Sequence, residues 1–184
     1  MRLLALVAAL VLAGGRPARA DGDRAVSAGL DYATFSAPGI PNSSGQTPTA
    51  SSPSWGAGVS GVYEQALSTD ISLRGELAGD TFSGGLTDRK HQTARSYAAL
   101  GDVGVLFRFD VLRLVPYAFG GVGGIAATGG PLSTTGLVIA IGGGVNFLVD
   151  RHRSIGAEVR LASFGTSITV VTVGLRVSTR WGQL

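Results

Sequence analysis

The segment Ile168 to Trp181, I-T-V-V-T-V-G-L-R-V-S-T-R-W, constrains the fold more than any other part of the chain. Val171, Val173, Leu175, Val177, Thr179 and Trp181 share one face of an extended strand, and Thr172, Gly174, Arg176, Ser178 and Arg180 share the other. Successive side chains on a strand point to opposite faces, so this is a period of two held over a dozen residues. Strands in globular proteins have a mode of about five to six residues. A strand tilted across a bilayer needs roughly nine to eleven. An apolar face that ends in an aromatic, with arginines opposite, points to a lipid-facing wall around a polar interior.

The same alternation runs through the rest of the chain. Ala25 to Ser36 places Val26, Ala28, Leu30 and Tyr32 on one face and Ser27, Gly29 and Asp31 on the other. The Pro-, Gly- and Ser-rich stretch Ala37 to Ser54 reads as a long loop. Trp55 to Gln65 alternates Trp55, Ala57, Val59, Gly61 and Tyr63 with Ser60 and Glu64, aromatic at both ends. After a tight A-L-S-T connection, Asp70 to Phe82 sets Ile71, Leu73, Gly75 and Leu77 against Ser72, Arg74, Glu76 and Ala78. Ser83 to Thr93 is a polar loop. Ala94 to Phe109 carries Tyr97, Ala99, Gly101, Val103, Val105, Phe107 and Phe109 opposite Ser96, Ala98, Asp102, Gly104 and Arg108. A fifth strand spans Val115 to Ala126, with Val115, Tyr117, Phe119 and Ile125 in line and Pro116 near its start. Leu137 to Val149 and Ile155 to Phe164 follow, the latter with Glu158 and Arg160 facing in. With the last segment this makes eight strands, and no helical period occurs after the first twenty residues.

Alternation alone does not say which face is outside, because a soluble barrel with an apolar ligand cavity alternates too. Three features favour apolar-out. The polar faces carry charges of both signs in near balance: Asp31, Glu64, Glu76, Asp102 and Glu158 against Arg74, Arg108, Arg160, Arg176 and Arg180. These can pair in a lumen, where an unpaired charge costs several kcal/mol. Beyond the leader the chain has a single lysine, Lys90. Connections after strands one, three and five read as long, and those after two, four and six as short, the pattern of outer-membrane barrels with short periplasmic turns; the last outer loop, Gly165 to Ser167, is a short exception. Closure satisfies every backbone group in lipid, and an even strand number returns both ends of the barrel to the periplasm.

The N-terminus supports export. Arg2, the apolar run Leu3 to Ala13 and the A-x-A sequence Ala18 to Ala20 form a secretory signal peptide over residues 1–20, with cleavage before Asp21. Residues 21–184 then form one barrel domain. The leader holds Arg2, Arg16 and Arg19, leaving twelve basic against twelve acidic residues, so the basic pI makes no case for nucleic acid. No cysteine is present.

The sequence resembles the small outer-membrane barrels of Gram-negative bacteria, the OmpA/OmpX and opacity-protein type. The carriers are V-P-Y-A-F-G-G-V-G-G from Val115 to Gly124, Glu158 and Arg160 in A-E-V-R-L, and V-G-L-R-V-S-T-R-W at the end. The resemblance implies an eight-stranded antiparallel transmembrane β-barrel that is monomeric. Its partners would be outer-membrane lipid, lipopolysaccharide and the barrel-insertion machinery, the last reading Trp181 as a terminal aromatic displaced by three residues. It implies a structural or surface-interaction role for the outer loops. A narrow channel, a lipid A-modifying enzyme and a soluble ligand-binding barrel are the alternatives.

No catalytic, cofactor or metal site emerges from the residues. Gly121, Gly123, Gly124 and Ala126 loosely match a dinucleotide fingerprint, but no helix follows, so these are structural glycines. Gly142 to Gly144 read as glycines that let large side chains cross a narrow barrel. His91 lies in a loop near Ser83 and Ser96, and His152 in a turn on the opposite side; two isolated histidines make neither a catalytic pair nor a metal site. Arg89, Lys90 and His91 could touch lipopolysaccharide phosphates, and read more readily as solvated loop residues. Eight strands leave an interior that side chains fill, so the inward Arg and Glu residues are expected to plug it.

Overall fold

The computed structural model describes residues 23–36, 55–87, 93–109, 113–129, 134–164 and 168–182, with the backbone but not the side chains of 85–87, 93–94, 134 and 164. The expected leader, the loop 37–54 and the Arg89–Lys90–His91 cluster lie outside them. Eight strands are present: β1 (Arg24–Ser36), β2 (Trp55–Ala66), β3 (Ile71–Thr87), β4 (Thr93–Arg108), β5 (Leu114–Thr128), β6 (Thr134–Leu148), β7 (Arg153–Phe164) and β8 (Ile168–Trp181). Each pairs antiparallel with its neighbours in sequence, and β8 returns to β1 with Arg24 opposite Trp181 and Ser36 opposite Thr169, closing the barrel.

Apolar residues face out. Leu30, Leu77, Val122, Leu137, Ile139 and Leu175 are among the exposed large hydrophobics, while Arg74, Glu76, Asp102, Glu158, Arg160 and Arg176 are buried inside. The wall is therefore the inverse of a soluble ligand-binding barrel, and that alternative fails. Outward aromatics form two belts. Tyr32, Trp55 and Tyr97 lie toward one rim; Tyr63, Phe107, Phe109, Phe147 and Trp181 lie toward the rim where β2 is joined to β3, β4 to β5 and β6 to β7. On β4, ten residues separate Tyr97 from Phe107. At a rise of about 3.3 Å and a tilt of about 40°, the belts stand about 25 Å apart, the height of a lipid-facing band.

Two expectations change. The strand ends reach further than the apolar alternation. β3 continues to Thr87 and β4 begins at Thr93, so the expected loop Ser83 to Thr93 shrinks to 88–92, and β6 begins at Thr134 rather than Leu137. Ladder hydrogen bonds do not require an apolar face, so these hairpins keep pairing beyond the apolar band. The register shifts between Ser83 and Thr87, where Gly84 adopts φ +84°, a conformation suited to a bulge. The asymmetry between the two rims thus appears as strand overhang, and only the connection after β1 stays long.

The second change is on β5. Val115, Tyr117, Phe119 and Ile125, which apolar-out patterning would set against lipid, are buried in the interior, and Leu114, Ala118 and Val122 face out. Both faces of this strand are apolar, so patterning carries little information about its parity. The neighbour decides it. Phe119 pairs with Gly142 and Tyr117 with Gly144, both inward glycines of β6. A Cβ on Gly144 would lie 2.6 Å from the Tyr117 hydroxyl, and one on Gly142 would overlap the Phe119 ring and the Val159 carbonyl oxygen. The glycines of β6 therefore make room for the rings of β5, as their sequence positions suggested. Gly142→Ala is expected to lower unfolding free energy by about 1–3 kcal/mol. Phe119→Leu in the same chain should restore only part of it, because the Val159 carbonyl stays in place. Urea titration of the two variants checks this. Full rescue would place the whole cost on the ring.

Candidate functional site

The polar interior is the one concentration of charged side chains inside the described barrel, and it is layered. Nearest the turn-bearing rim, Arg108 of β4 donates from Nη1 to Ser72 Oγ (2.9 Å) and from Nη2 to Glu64 of β2. Ser154 of β7 and Ser178 of β8 share a hydrogen bond at the same level.

The next layer is a buried ion-pair network across the barrel. Arg74 of β3 donates to Glu158 of β7 through Nη1 (3.0 Å to Oε2) and Nη2 (2.8 Å to Oε1), a two-point fork. Its Nη2 also reaches Glu76 Oε2 at 2.5 Å. Arg160 Nη1 donates to Glu76 Oε1 (2.6 Å), and Arg176 Nη2 to Glu158 Oε1 (2.6 Å). The Tyr117 hydroxyl donates to Glu158 Oε2 (2.7 Å). Two carboxylates thus hold three guanidinium groups. The Arg74 guanidinium carbon also lies 3.6 Å from the centroid of the Phe119 ring, so the aromatic that β6 accommodates packs against the cation it faces.

Above the network stand Asp31, Asp80 and Asp102. Among the described residues no arginine lies within ion-pair distance of Asp80 or Asp102. The outer half of the lumen is mostly apolar: Phe35, Phe82, Leu100, Ile125, Val138 and Val170 pack with four alanines into one buried cluster, with Asp80 and Ser96 as buried polar residues beside it. Phe35 and Phe82 meet edge to face with ring centroids 5.1 Å apart. The lumen is therefore charged at its centre and closed by an apolar cap toward the rim where β1 ends and β2 begins.

Most of the charges expected inside are brought together: Glu64 with Arg108, and Glu76 and Glu158 with Arg74, Arg160 and Arg176. Arg180 sits lower, at the rim, where its backbone N–H donates to the His152 carbonyl (2.7 Å). Asp80, Tyr117 and Phe119 are interior residues that patterning did not single out. The run of glycines at the facing positions of β6 is the signal that would have found the two rings.

His152 sits in the β6–β7 turn, its Nδ1 3.3 Å from the Arg180 carbonyl oxygen. That turn is held by Asp150, whose Oδ1 accepts from the backbone N–H groups of His152 (2.7 Å) and Arg153 (2.8 Å). The His152 N–H bond above all holds the Asp150 carboxyl below its ordinary value. Ser96 is buried with an inward hydroxyl, and His91 lies outside the described residues. Gly121 and Gly123 lie in β5 and not at a helix start; a Cβ on Gly121 would come 2.8 Å from the Val103 carbonyl oxygen. Among the described residues no group of three His, Cys, Asp or Glu side chains could hold a metal ion. The network can brace a barrel. With its carboxylates committed to arginines, it is not arranged as a nucleophile and base.

No protein-family profile and no curated protein matches the sequence. Solved structures do match. Neisserial surface protein A aligns with a TM-score of 0.62 at 15% identity, over 88% of this chain and 100% of its own. The attachment invasion locus protein Ail of Yersinia pestis, solved with the heparin analogue sucrose octasulfate, aligns with a TM-score of 0.59 at 16% identity, over 88% and 99%. The outer membrane protein OprG from Pseudomonas aeruginosa aligns with a TM-score of 0.58 at 10% identity, over 89% and 98%. At such identities the likeness is one of fold: the chain has the fold of the small eight-stranded outer-membrane barrels.

Proposed function

We propose that this chain is an outer-membrane barrel whose lumen is closed and whose role lies in its wall and its outer loops: structural, or contacting envelope and external partners. The observation that carries the reading is the pairing of an apolar outer wall between two aromatic belts with a fully buried ion-pair interior. In water such a wall would expose far more contiguous apolar surface than a soluble monomer carries. In lipid it needs no further cover, and barrel closure satisfies the backbone. Residues 1–20 act as a signal peptide cleaved before Asp21, and the turn-bearing rim, with both strand termini, faces the periplasm. Trp181, outward at that rim, is the residue the insertion machinery would read. The fold neighbours support a non-enzymatic role, and one of them, Ail, was solved with a heparin analogue. Contact of the outer loops with lipopolysaccharide or another anionic glycan belongs to the same proposal.

The apolar cap speaks against the channel alternative, because Phe35, Phe82, Leu100, Ile125, Val138 and Val170 are buried against one another in the outer half of the lumen. Two measurements test the reading. The mature protein, extracted from envelopes, should shift in gel mobility on boiling and should partition with the membrane. Inserted into a planar bilayer, it should give no stable ohmic steps. A soluble, unshifted protein would overturn the membrane assignment, and steady unit conductance would overturn the closed lumen.

A further inference from the structure

The turn-bearing rim holds a group of cations that the lumen network does not use. Arg24 opens β1 and Arg153 opens β7; each alternates with a buried neighbour, Ala25 or Ser154, so both face outward from the wall. They flank β8, with Arg24 opposite Trp181 and Arg153 opposite Thr179. With one strand between them and an offset of two residues along it, their backbones stand about 12 Å apart. Arg151 in the adjacent turn is exposed as well. Among the described residues none of these three forms an ion pair with a carboxylate. Two acids lie nearby. Asp150 is committed to the amides of its own turn, and Asp23 packs at Gly182 beyond the end of β8.

The wall above these arginines is not smooth. A groove of about 460 Å³ runs up from Arg153 across β7, β8 and β1. Its outer lining is Val26, Ala28, Val149, Ile155 and Val177, with Thr179 at its lower end. Ala28 and Thr179 are small beside the valines and isoleucine around them, and this makes the depression. A cationic rim beneath an apolar groove on a lipid-facing wall has the polarity of a phospholipid, phosphate at the interface and chain along the wall.

We propose that Arg24 and Arg153, together with the groove between β7, β8 and β1, form a binding site for an anionic phospholipid of the leaflet that meets the short turns, its phosphate on the two arginines and one acyl chain along Val26, Ala28, Ile155 and Val177. The site rests on the membrane reading above. Arginine suits the phosphate because its planar fork takes two oxygens at once. Attraction of an arginine to an anionic membrane surface corresponds to about a fivefold local enrichment per residue. A lipopolysaccharide occupant fits less well, because the site lies at the rim opposite the outer loops.

Trp181 stands between the two arginines and reports on the site. The mature chain carrying Trp55→Phe, which leaves Trp181 as its single tryptophan, is inserted into phosphatidylcholine vesicles. These contain a minor fraction of either phosphatidylglycerol or phosphatidylcholine with brominated acyl chains. The brominated phosphatidylglycerol is expected to quench Trp181 as if enriched at least about fivefold over its bulk fraction. Arg24→Gln with Arg153→Gln should bring the two lipids level, and Ala28→Phe, which fills the groove, should do the same with the arginines intact. Equal quenching by both lipids in the unsubstituted site would overturn the proposal. So would an excess that survives the double arginine variant. Each variant is first checked for its gel shift on boiling. If the parent chain fails to insert and shift, the membrane reading falls and the site with it; if it inserts and the lipids quench equally, only the site falls.

Discussion

Replacing Glu158 by alanine is expected to lower the unfolding free energy by about 3–5 kcal/mol. Glu158 accepts from Arg74, Arg176 and Tyr117, and among the described residues it is the one acceptor that reaches all three. Arg74 and Arg176 are 1% and 4% exposed, so water cannot take over when the carboxylate goes. A buried ion pair adds little net stability over apolar residues of the same shape, because desolvation offsets most of the attraction. Removing one partner is different: the desolvation stays and the attraction does not. Glu158→Gln keeps a carbonyl acceptor and the side-chain volume, and should cost less than the alanine variant. Glu64→Ala is the control. Its side chain and that of its partner Arg108 are about a tenth exposed, so water screens the orphaned cation and the loss should be smaller. Urea titrations of the three variants in vesicles, read by far-UV circular dichroism, give the comparison. A loss under about 1 kcal/mol for Glu158→Ala would mean that the interior is wet enough to solvate its arginines.

Leu175→Arg is expected to cost about 2–4 kcal/mol in a bilayer. Leu175 is 68% exposed, lies midway along β8 and has Leu30 and Ala157 as its cross-strand partners. On a soluble protein an exposed leucine could become arginine within about 0.5 kcal/mol. In lipid the same change sets a guanidinium near the middle of the apolar band. Thr179→Arg, four residues along the same face and at the rim, should cost about 0–1 kcal/mol. The depth dependence is the signature. Equal and small costs at both positions in vesicles would contradict the assignment of this wall to lipid.

These expectations draw unequally on sequence and structure. The outward set of β8 was legible from Val171 to Trp181, because a period of two is a local property and the segment is long enough to show it. The same holds for β1, β3, β4 and β6, whose inward and outward residues fall as their alternation indicates. β5 was not legible. Val115, Tyr117 and Phe119 look like a lipid-facing row, and their true direction depends on Gly142 and Gly144 some 25 residues further on. The hairpin extensions, β3 to Thr87 and β6 from Thr134, were missed for a related reason. Pairing beyond the apolar band leaves no hydrophobic trace.

The chain by itself determined that there are eight strands, that one face is apolar and the other charged, and that both signs of charge are present inside in near balance. These follow from alternation and from the cost of burying an unpaired charge, and both act locally or in sum. Only the closed structure decided which charges meet. Arg74 and Glu158 are 84 residues apart in sequence and donate and accept across the lumen because of strand register, barrel closure and the space that β6 glycines leave for β5 rings. It also decided that the apolar cluster of Phe35, Phe82, Leu100, Ile125, Val138 and Val170 closes the outer half of the lumen. Alternation says which way a side chain points. Barrel closure alone sets what stands opposite it.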